Sequence, residues 1–242
     1  MVRIRGGRSY NRLIDVTNLA DAPKPAERHN GHVEISAMAP ISRVTEALGG
    51  ILPGLAAAAR VFASVQIRNR ATIGGNIANA SPAADMLPPL VAAGAVAHIE
   101  GRAGDRTLSV EDLVVGPGET GLAEDEWIRT IDVPIGESEE GFYKLGGRSA
   151  LAISVVSLAW RWHRAQNGCL SGVRLALGAV APRVSRARAA EALLEGRVPT
   201  SRVIDAAAAA LGAATDPIDD VRASAWYRTE VACDLLRMAL QE

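Results

Sequence analysis

The segment that most constrains this chain runs from Ala71 to Asp85, where two adjacent glycines precede an asparagine and a Ser-Pro pair follows. Gly74 and Gly75 lack a Cβ atom, so a ligand can approach their main chain closely and positive φ angles are permitted. Successive N–H groups in such a turn can converge on an anion. The segment therefore predicts a cradle for an anion, most economically a phosphate or a pyrophosphate. The alternative is a plain Gly-Gly turn between two helices.

The Ser-Pro pair that follows the glycines predicts a helix start. Ser81 is a good N-cap residue and Pro82 is a good first helical residue. A helix that begins there would direct free N–H groups and a partial positive charge toward the same neighbourhood. This pattern strengthens the interpretation of the segment as an anion-binding site.

Size and composition favour an ordinary globular protein with one large domain or two smaller ones. The chain has 242 residues, of which 48% are hydrophobic and 22% are charged. The formal net charge is −1, so neither nucleic acid nor an anionic membrane is expected as a partner. We find no leader segment and no apolar run long enough to cross a bilayer. The expectation is a soluble, cytoplasmic protein.

Cysteine usage argues against a metal centre held by this chain alone. Cys169 and Cys233 are the two cysteines, and neither belongs to a paired metal-ligand spacing. We expect two reduced thiols, as in a cytoplasmic protein, and no metal site.

The first half of the chain reads as strands alternating with short helices. Val65–Arg70 is predicted to be an extended segment that leads into the paired glycines. His98, on a predicted strand, is interpreted as a sheet residue with satisfied hydrogen bonds and not as a catalytic residue. The predicted strands are Arg12–Val16, Gly31–Ala39, Ala95–Ile99 and Glu126–Pro134, and the predicted helices are Ser42–Leu48, Pro53–Ser64 and a proline-broken stretch that ends near Gly94.

The second half begins after a linker candidate at Glu137–Gly141. Two strands, Ile153–His163 and Leu170–Val180, are joined by Asn167-Gly168, the strongest hairpin signal in the chain. Runs of helix after runs of strand indicate the α+β class. Three helices are predicted after the hairpin, at Arg186–Glu195, at Arg202–Ala214 and from Ser224 to the end.

One glycine motif matches a dinucleotide fingerprint by its letters only. Gly116–Gly121 has the required glycine spacing, but no long helix can begin at these glycines. Three carboxylates follow directly, at Glu124, Asp125 and Glu126, and they would repel a pyrophosphate. We therefore interpret the motif as a turn.

Two stretches, Ala71–Ile77 and Ala80–Asp85, resemble the FAD-binding subunit of the molybdenum hydroxylases, the relatives of xanthine dehydrogenase and carbon monoxide dehydrogenase. Tyr143-Lys144 and Ala225–Arg228 extend the likeness over nearly the whole chain. The resemblance implies the C-terminal part of a PCMH/VAO-type FAD-binding domain over residues 1–138 and a flavoprotein C-terminal domain over residues 142–242. The family's first glycine-rich loop is expected to be absent, because Gly6-Gly7 lies too close to the first strand.

The resemblance also implies roles for individual residues. The glycine segment would hold the FAD pyrophosphate, Asp85 would accept a hydrogen bond from a sugar or ribityl hydroxyl, and Lys144 would stabilise negative charge on the reduced flavin. Phe62 and Ile128 would contact the flavin, and Thr72 would add a hydroxyl. The complete candidate set is Phe62, Thr72, Ile73, Gly74, Gly75, Asn76, Ser81, Asp85, Ile128 and Lys144.

The chain carries no motif for acid–base or nucleophilic catalysis, which agrees with a subunit whose cofactor supplies the redox chemistry. The resemblance implies electrons that arrive from [2Fe-2S] clusters on a partner chain and leave FAD for NAD, oxygen or a quinone. Substrate oxidation would take place at a molybdenum cofactor on a molybdopterin subunit. Two alternatives stay open: a degenerate scaffold subunit that no longer binds FAD, and a stand-alone flavin oxidase or reductase.

Overall fold

A computed structural model of the chain describes residue 15 and residues 23–48, 50–148 and 151–241. The predicted strand Arg12–Val16 lies outside these residues except for Asp15, and so does Gly6-Gly7. The strands are β1 (Ala26–Arg28), β2 (His32–Ser36), β3 (Val96–Glu100), β4 (Arg106–Ser109), β5 (Val114–Gly116), β6 (Glu119–Thr120), β7 (Trp127–Pro134), β8 (Glu139–Gly146), β9 (Ser154–Arg164), β10 (Leu170–Gly178) and β11 (Ser185–Arg186). The helices are α1 (Ile41–Leu48), α2 (Pro53–Val61), α3 (Val65–Arg68), α4 (Ile73–Ala78), α5 (Leu87–Ala93), α6 (Val110–Leu113), α7 (Arg188–Leu194), α8 (Ser201–Ala213) and α9 (Ala225–Gln241).

The first half folds around an antiparallel five-stranded sheet in the order β1-β2-β7-β3-β4. Alternation along β2 explains which face is covered, because Val33 and Ile35 are buried while Glu34 between them is not. Ile73 of α4 and Leu90 of α5 belong to the same hydrophobic core. The core therefore lies between the sheet and the short helices that carry the glycine segment.

The second half contains a four-stranded antiparallel sheet in the order β11-β10-β9-β8. Strand β9 is buried along most of its length, which explains its nearly continuous apolar sequence. Leu158 and Trp160 belong to the core shared with α7–α9, whereas Ala159 between them belongs to the core of the first half. Because neighbouring strand residues point to opposite faces, one face of β9 packs on the C-terminal helices and the other on the first half.

The α+β class predicted from the sequence is confirmed, and so is the hairpin at Asn167-Gly168 between β9 and β10. The interpretation of Gly116–Gly121 as a turn is also correct, because β5 and β6 pair with each other across it. The two cysteines are free thiols. Within the described ranges, no helix has both the length and the apolar composition that crossing a bilayer requires.

Two local predictions are wrong. Val65–Arg68 forms a helical turn and not an extended segment, because the Ser64 side chain caps it by accepting a hydrogen bond from the Ile67 N–H. The linker candidate Glu137–Gly141 is largely strand, because β8 starts at Glu139 and pairs with β9. Pairing with β9 along the whole of β8, from Glu139 to Gly146, overrides the polar composition of its first residues.

Candidate functional site

The paired glycines lie in the first turn of α4 and do not form a left-handed turn. Thr72 is the N-cap, and its Oγ1 accepts a hydrogen bond of 3.0 Å from the Gly75 N–H. The Thr72 carbonyl accepts a hydrogen bond of 3.0 Å from the Asn76 N–H. Neither glycine has a positive φ angle. The positive φ angles that the two glycines permit are therefore not adopted, and the alternative of a plain turn between helices is wrong. The anion cradle itself stays a prediction.

Gly74 provides close packing between α4 and the segment that follows β2. Its N–H donates a hydrogen bond of 2.9 Å to the Ala37 carbonyl. A Cβ atom on Gly74 would lie 2.7 Å from both the Cβ and the carbonyl oxygen of Ala37. The space left by the missing side chain is thus filled by protein, and Gly74 positions α4 against the sheet.

The next two residues of α4 are more accessible to a ligand. Gly75 is exposed and carries no side chain, whereas Asn76 is half-buried. The Oδ1 atom of Asn76 is buried without a hydrogen-bond partner among the described residues. Since buried carbonyl oxygens are normally satisfied, this atom needs a donor from outside the described chain. The Thr72 hydroxyl accepts from Gly75 and keeps its own proton available for donation.

Ser81 does not cap a helix, contrary to the sequence prediction. Its Oγ accepts a hydrogen bond of 3.3 Å from the Ala83 N–H within a turn. The following helix, α5, begins six residues later at Leu87, with prolines in its first turn. The anion-binding contribution expected from a helix at Ser81 is therefore absent.

Asp85 and Lys144 meet in a buried ion pair that joins the two halves of the chain. The Lys144 Nζ lies 2.6 Å from Asp85 Oδ2, and the Ser154 hydroxyl donates a hydrogen bond of 2.5 Å to Asp85 Oδ1. The side chains of Lys144 and Asp85 are only 7% and 8% exposed. Lys144 also donates to the Val61 carbonyl at 3.3 Å. We call Asp85, Lys144 and Ser154 the junction clamp.

A carboxylate on β8, in addition to that of Asp85, reinforces the same junction. Glu140 faces the N-terminus of α2 and lies 3.4 Å from the Arg161 Nε. Burial raises the pKa of Glu140, while the charge of Arg161 and hydrogen bonds from Ser138 and the Gly54 N–H oppose that rise. Arg161 in turn donates to the Pro134 carbonyl at 2.7 Å. Strand β8 is thus fixed to the first half at both ends.

The two predicted flavin contacts occupy different environments. Phe62 is half-buried directly after α2, and its carbonyl accepts a hydrogen bond of 2.6 Å from Arg68 Nη1. It lies next to Val61, whose carbonyl contacts Lys144. Ile128 is buried in β7 and belongs to the first core. The neighbouring Arg129 carbonyl accepts from the Ala37 N–H, which places this part of β7 beside α4.

The structure therefore brings the candidate residues together in two groups. Thr72, Ile73, Gly74, Gly75 and Asn76 share one helix turn, and Asp85 contacts Lys144 near Phe62. Sequence reasoning missed Ser154, the third member of the clamp. A completely buried serine inside an apolar strand indicates a required hydrogen bond. The identity of its partner, 69 positions away, could not be inferred.

No group of three or more His, Cys, Asp or Glu side chains suited to a metal ion occurs in the part of the chain that the structure describes. His98 does have a partner, because its Nε2 lies 2.8 Å from Asp132 Oδ2 on the open face of the first sheet. The interpretation of His98 as a satisfied sheet residue is consistent with this pairing.

Two family models together match almost the entire sequence. Residues 2–136 match the FAD binding domain in molybdopterin dehydrogenase, and residues 141–242 match the CO dehydrogenase flavoprotein C-terminal domain. The chain is 33% identical to the nicotine 6-hydroxylase medium subunit of Paenarthrobacter nicotinovorans over 79% of its own length and 67% of that relative. It is 33% identical to the carbon monoxide dehydrogenase medium chain of Hydrogenophaga pseudoflava, over 78% and 66% of the two chains. The chain thus spans about two thirds of these relatives.

Solved structures show the same fold. The carbon monoxide dehydrogenase of Hydrogenophaga pseudoflava superposes with a TM-score of 0.85 at 34% identity, covering 89% of this chain and 76% of that one. The quinoline 2-oxidoreductase of Pseudomonas putida 86 gives 0.83 at 26% identity over the same shares. The similarity covers both sheets and agrees with the resemblance found in the glycine segment. The chain belongs to the FAD-binding medium subunits of the molybdenum hydroxylase family.

Proposed function

We propose that this chain is the FAD-binding, electron-transfer subunit of a molybdenum-containing hydroxylase or dehydrogenase complex. The single observation that carries the proposal, given the family, is the buried Asn76 Oδ1 without a partner in the described chain. Hydroxyl and amino groups of FAD are donors of the kind that this oxygen needs. Asn76 lies in the segment that resembles the family's cofactor-binding motif, next to the exposed main chain of Gly75.

When bound, FAD would supply the redox chemistry. The residues of this chain would bind and orient it. Asn76 would accept a hydrogen bond from the cofactor, the Thr72 hydroxyl would donate one, and the exposed Gly75 would allow close approach. Ile73 would anchor the turn in the core, since it is fully buried. Lys144, held by Asp85, would place a positive charge beside Phe62, where the flavin is expected.

The proposal also covers the partner subunits and the electron acceptor. We expect electrons to arrive from [2Fe-2S] clusters on an iron–sulfur subunit, after oxidation of the substrate on a molybdopterin subunit. We expect an acceptor such as NAD to take them from FAD, in a hetero-oligomer in the cytoplasm. The domain boundary between residues 138 and 142 is proposed on the same basis. The names of relatives as medium subunits support this arrangement.

A second candidate function is a scaffold subunit that docks its partners without binding FAD. It is favoured by the hydrogen bonds already made within the protein. The N–H groups of Gly74, Gly75 and Asn76 all have acceptors, and both oxygens of Asp85 have donors. Such a subunit would be purified colourless, whereas the FAD-binding subunit would carry a visible flavin spectrum.

A direct test of the cofactor site is to replace Asn76 with alanine and titrate the protein with FAD by quenching of flavin fluorescence. Loss of one hydrogen bond to a buried acceptor should weaken FAD binding about tenfold. Asn79→Ala, one turn later at the end of α4, is the matched control and should bind FAD like the wild type. Equal affinities for all three proteins would remove Asn76 from the site.

A further inference from the structure

Large apolar side chains are exposed in the loop before α9 and in the first turn of that helix. Ile218 and Trp226 are 68% and 71% exposed, and Val221 is fully exposed. Tyr227, which follows Trp226, is exposed as well. Single exposed apolar residues are common on protein surfaces, whereas several in one short segment indicate contact with another molecule. None of the residues proposed to bind FAD belongs to this segment, residues 215–227.

Polar contacts fix the shape of this segment. Asp220 Oδ1 accepts hydrogen bonds from the N–H groups of Arg222 and Ala223, at 2.8 Å and 3.3 Å. At the start of the segment, the Asp216 N–H donates to the Val180 carbonyl at 2.8 Å. The loop is thus held by its polar groups, which leaves its apolar side chains free for a partner. A surface that is already ordered loses little conformational entropy on binding.

A buried arginine ties the segment to the junction clamp. Arg228 is 2% exposed, and its Nη2 donates to Asp220 Oδ1 at 2.7 Å. Its Nη1 donates to the Val155 carbonyl at 2.6 Å. Val155 follows Ser154, the clamp residue whose hydroxyl donates to Asp85. The segment is therefore anchored next to the clamp, whose lysine is proposed to lie beside the flavin.

The charges around these apolar side chains are mainly acidic. Within the described part of the chain, the exposed carboxylates of Asp216 and Glu230 make no hydrogen bond or ion pair. The loop's own cation, Arg222, is paired with Asp220, to which its Nε donates at 2.9 Å. Two copies of this surface would repel each other, because like charges would meet. A partner with basic residues around an apolar centre would be attracted.

We propose that residues 215–227 form a docking surface for the iron–sulfur subunit of the complex, with Trp226 and Val221 as its main contacts. The inference rests on the proposed function, because it assumes that this chain receives electrons from such a subunit. Electron transfer slows steeply with distance, so the electron donor has to dock near the flavin. Tryptophan is enriched among the residues that dominate the binding energy of protein interfaces. We expect the matching face of the iron–sulfur subunit to be apolar with a basic rim.

The first test is the stability of the assembled complex, in which this chain is co-expressed with the iron–sulfur and molybdopterin subunits. Mass photometry on dilution measures the Kd of this chain for its partners. Trp226→Ser should raise that Kd about tenfold or more, as expected for a residue central to an interface. The change affects an exposed side chain, so the circular dichroism of the isolated chain should match the wild type. Met238→Ser, at another exposed apolar residue of α9, is the control and should assemble like the wild type.

Cross-linking identifies the partner that lies on this surface. A photoreactive benzoylphenylalanine in place of Trp226 should cross-link to the iron–sulfur subunit in the assembled complex. The same group in place of Met238 is the control and should not. A cross-link from position 226 to the molybdopterin subunit alone, or to a second copy of this chain, would overturn the inference. Wild-type affinity of Trp226→Ser for its partners would overturn it as well.

Flavin content, measured on the same samples, separates this inference from the proposed function. A complex that assembles through Trp226 and yet holds no FAD would refute FAD binding and leave the docking surface in place. A complex that holds FAD and is unaffected by Trp226→Ser would refute the docking surface alone.

Discussion

At the scale of single residues, Gly74 and Gly75 serve different purposes although they are adjacent. Gly74 is buried against the carbonyl of Ala37, whereas Gly75 is exposed at the surface of the same turn. The sequence alone predicts that this pair allows close approach to the main chain. The sequence does not reveal that Ala37 already fills the space beside Gly74, because that depends on where the chain runs after β2 in the folded protein.

Gly74→Ala should lower the free energy of unfolding by about 1–3 kcal/mol, since the added methyl group meets main-chain atoms that cannot move freely. Urea unfolding followed by circular dichroism measures the change. Gly136→Ala is the control, because a Cβ there meets only the flexible end of Arg161 at 3.8 Å. Equal stability of Gly74→Ala and the wild type would contradict the packing role.

The junction clamp gives a second prediction for a single residue. Lys144→Met leaves the Asp85 carboxylate buried without its cation, which should cost about 3–5 kcal/mol of unfolding free energy. Adding Asp85→Asn should recover part of this loss, because the buried charge is then removed as well. Lys24→Met, which breaks an exposed pair with Glu27, should cost under about 1 kcal/mol. A similar small cost for Lys144→Met would show that the clamp does not stabilise the junction.

At the scale of elements, long periodic segments were predictable and short capped ones were not. β2, β7, β9 and α9 follow from their apolar spacing. The turns α3 and α4 depend on one capping hydroxyl each, from Ser64 and Thr72, and such short signals are easily overlooked. The polar start of β8 was interpreted as a linker because its pairing with β9 is not encoded locally.

The edge of the first sheet gives a prediction for pH dependence. The pKa of Glu126 is lowered from 4.5 to about 2, mainly by its hydrogen bonds from Arg106 on β4 and then by the Ala123 N–H. Because the pKa in the folded protein lies below that in the unfolded chain, the pair stabilises the fold above about pH 4.5 and this contribution is lost as the pH falls toward 2.

Glu126→Gln should therefore lose less unfolding free energy than the wild type between about pH 5 and about pH 3. Urea unfolding at a series of pH values measures the two slopes, and Glu46→Gln on α1 is the control for removal of one acidic group from an ion pair. Parallel slopes for Glu126→Gln and the wild type would contradict a folded-state role for the Arg106–Glu126 pair.

At the scale of the whole molecule, the two halves are held together by charged and polar contacts around a shared apolar face. Asp85 meets Lys144 and Ser154, and Arg188 lies 2.6 Å from Glu111. The family could be inferred from the sequence because its motif around the paired glycines is present. The α+β class could be inferred because apolar periodicity indicates the order of strands and helices. The contacts across the junction could not, because their members lie up to 83 positions apart.

The central claim is that this chain holds FAD within a molybdenum hydroxylase complex, and the visible absorption spectrum of the purified complex tests it most directly. We predict a flavin band in stoichiometric amount with this chain, which Asn76→Ala diminishes and Asn79→Ala leaves unchanged. A complex that contains this chain in full yield, after incubation with excess FAD and removal of the unbound cofactor, and yet shows no flavin band would contradict the claim.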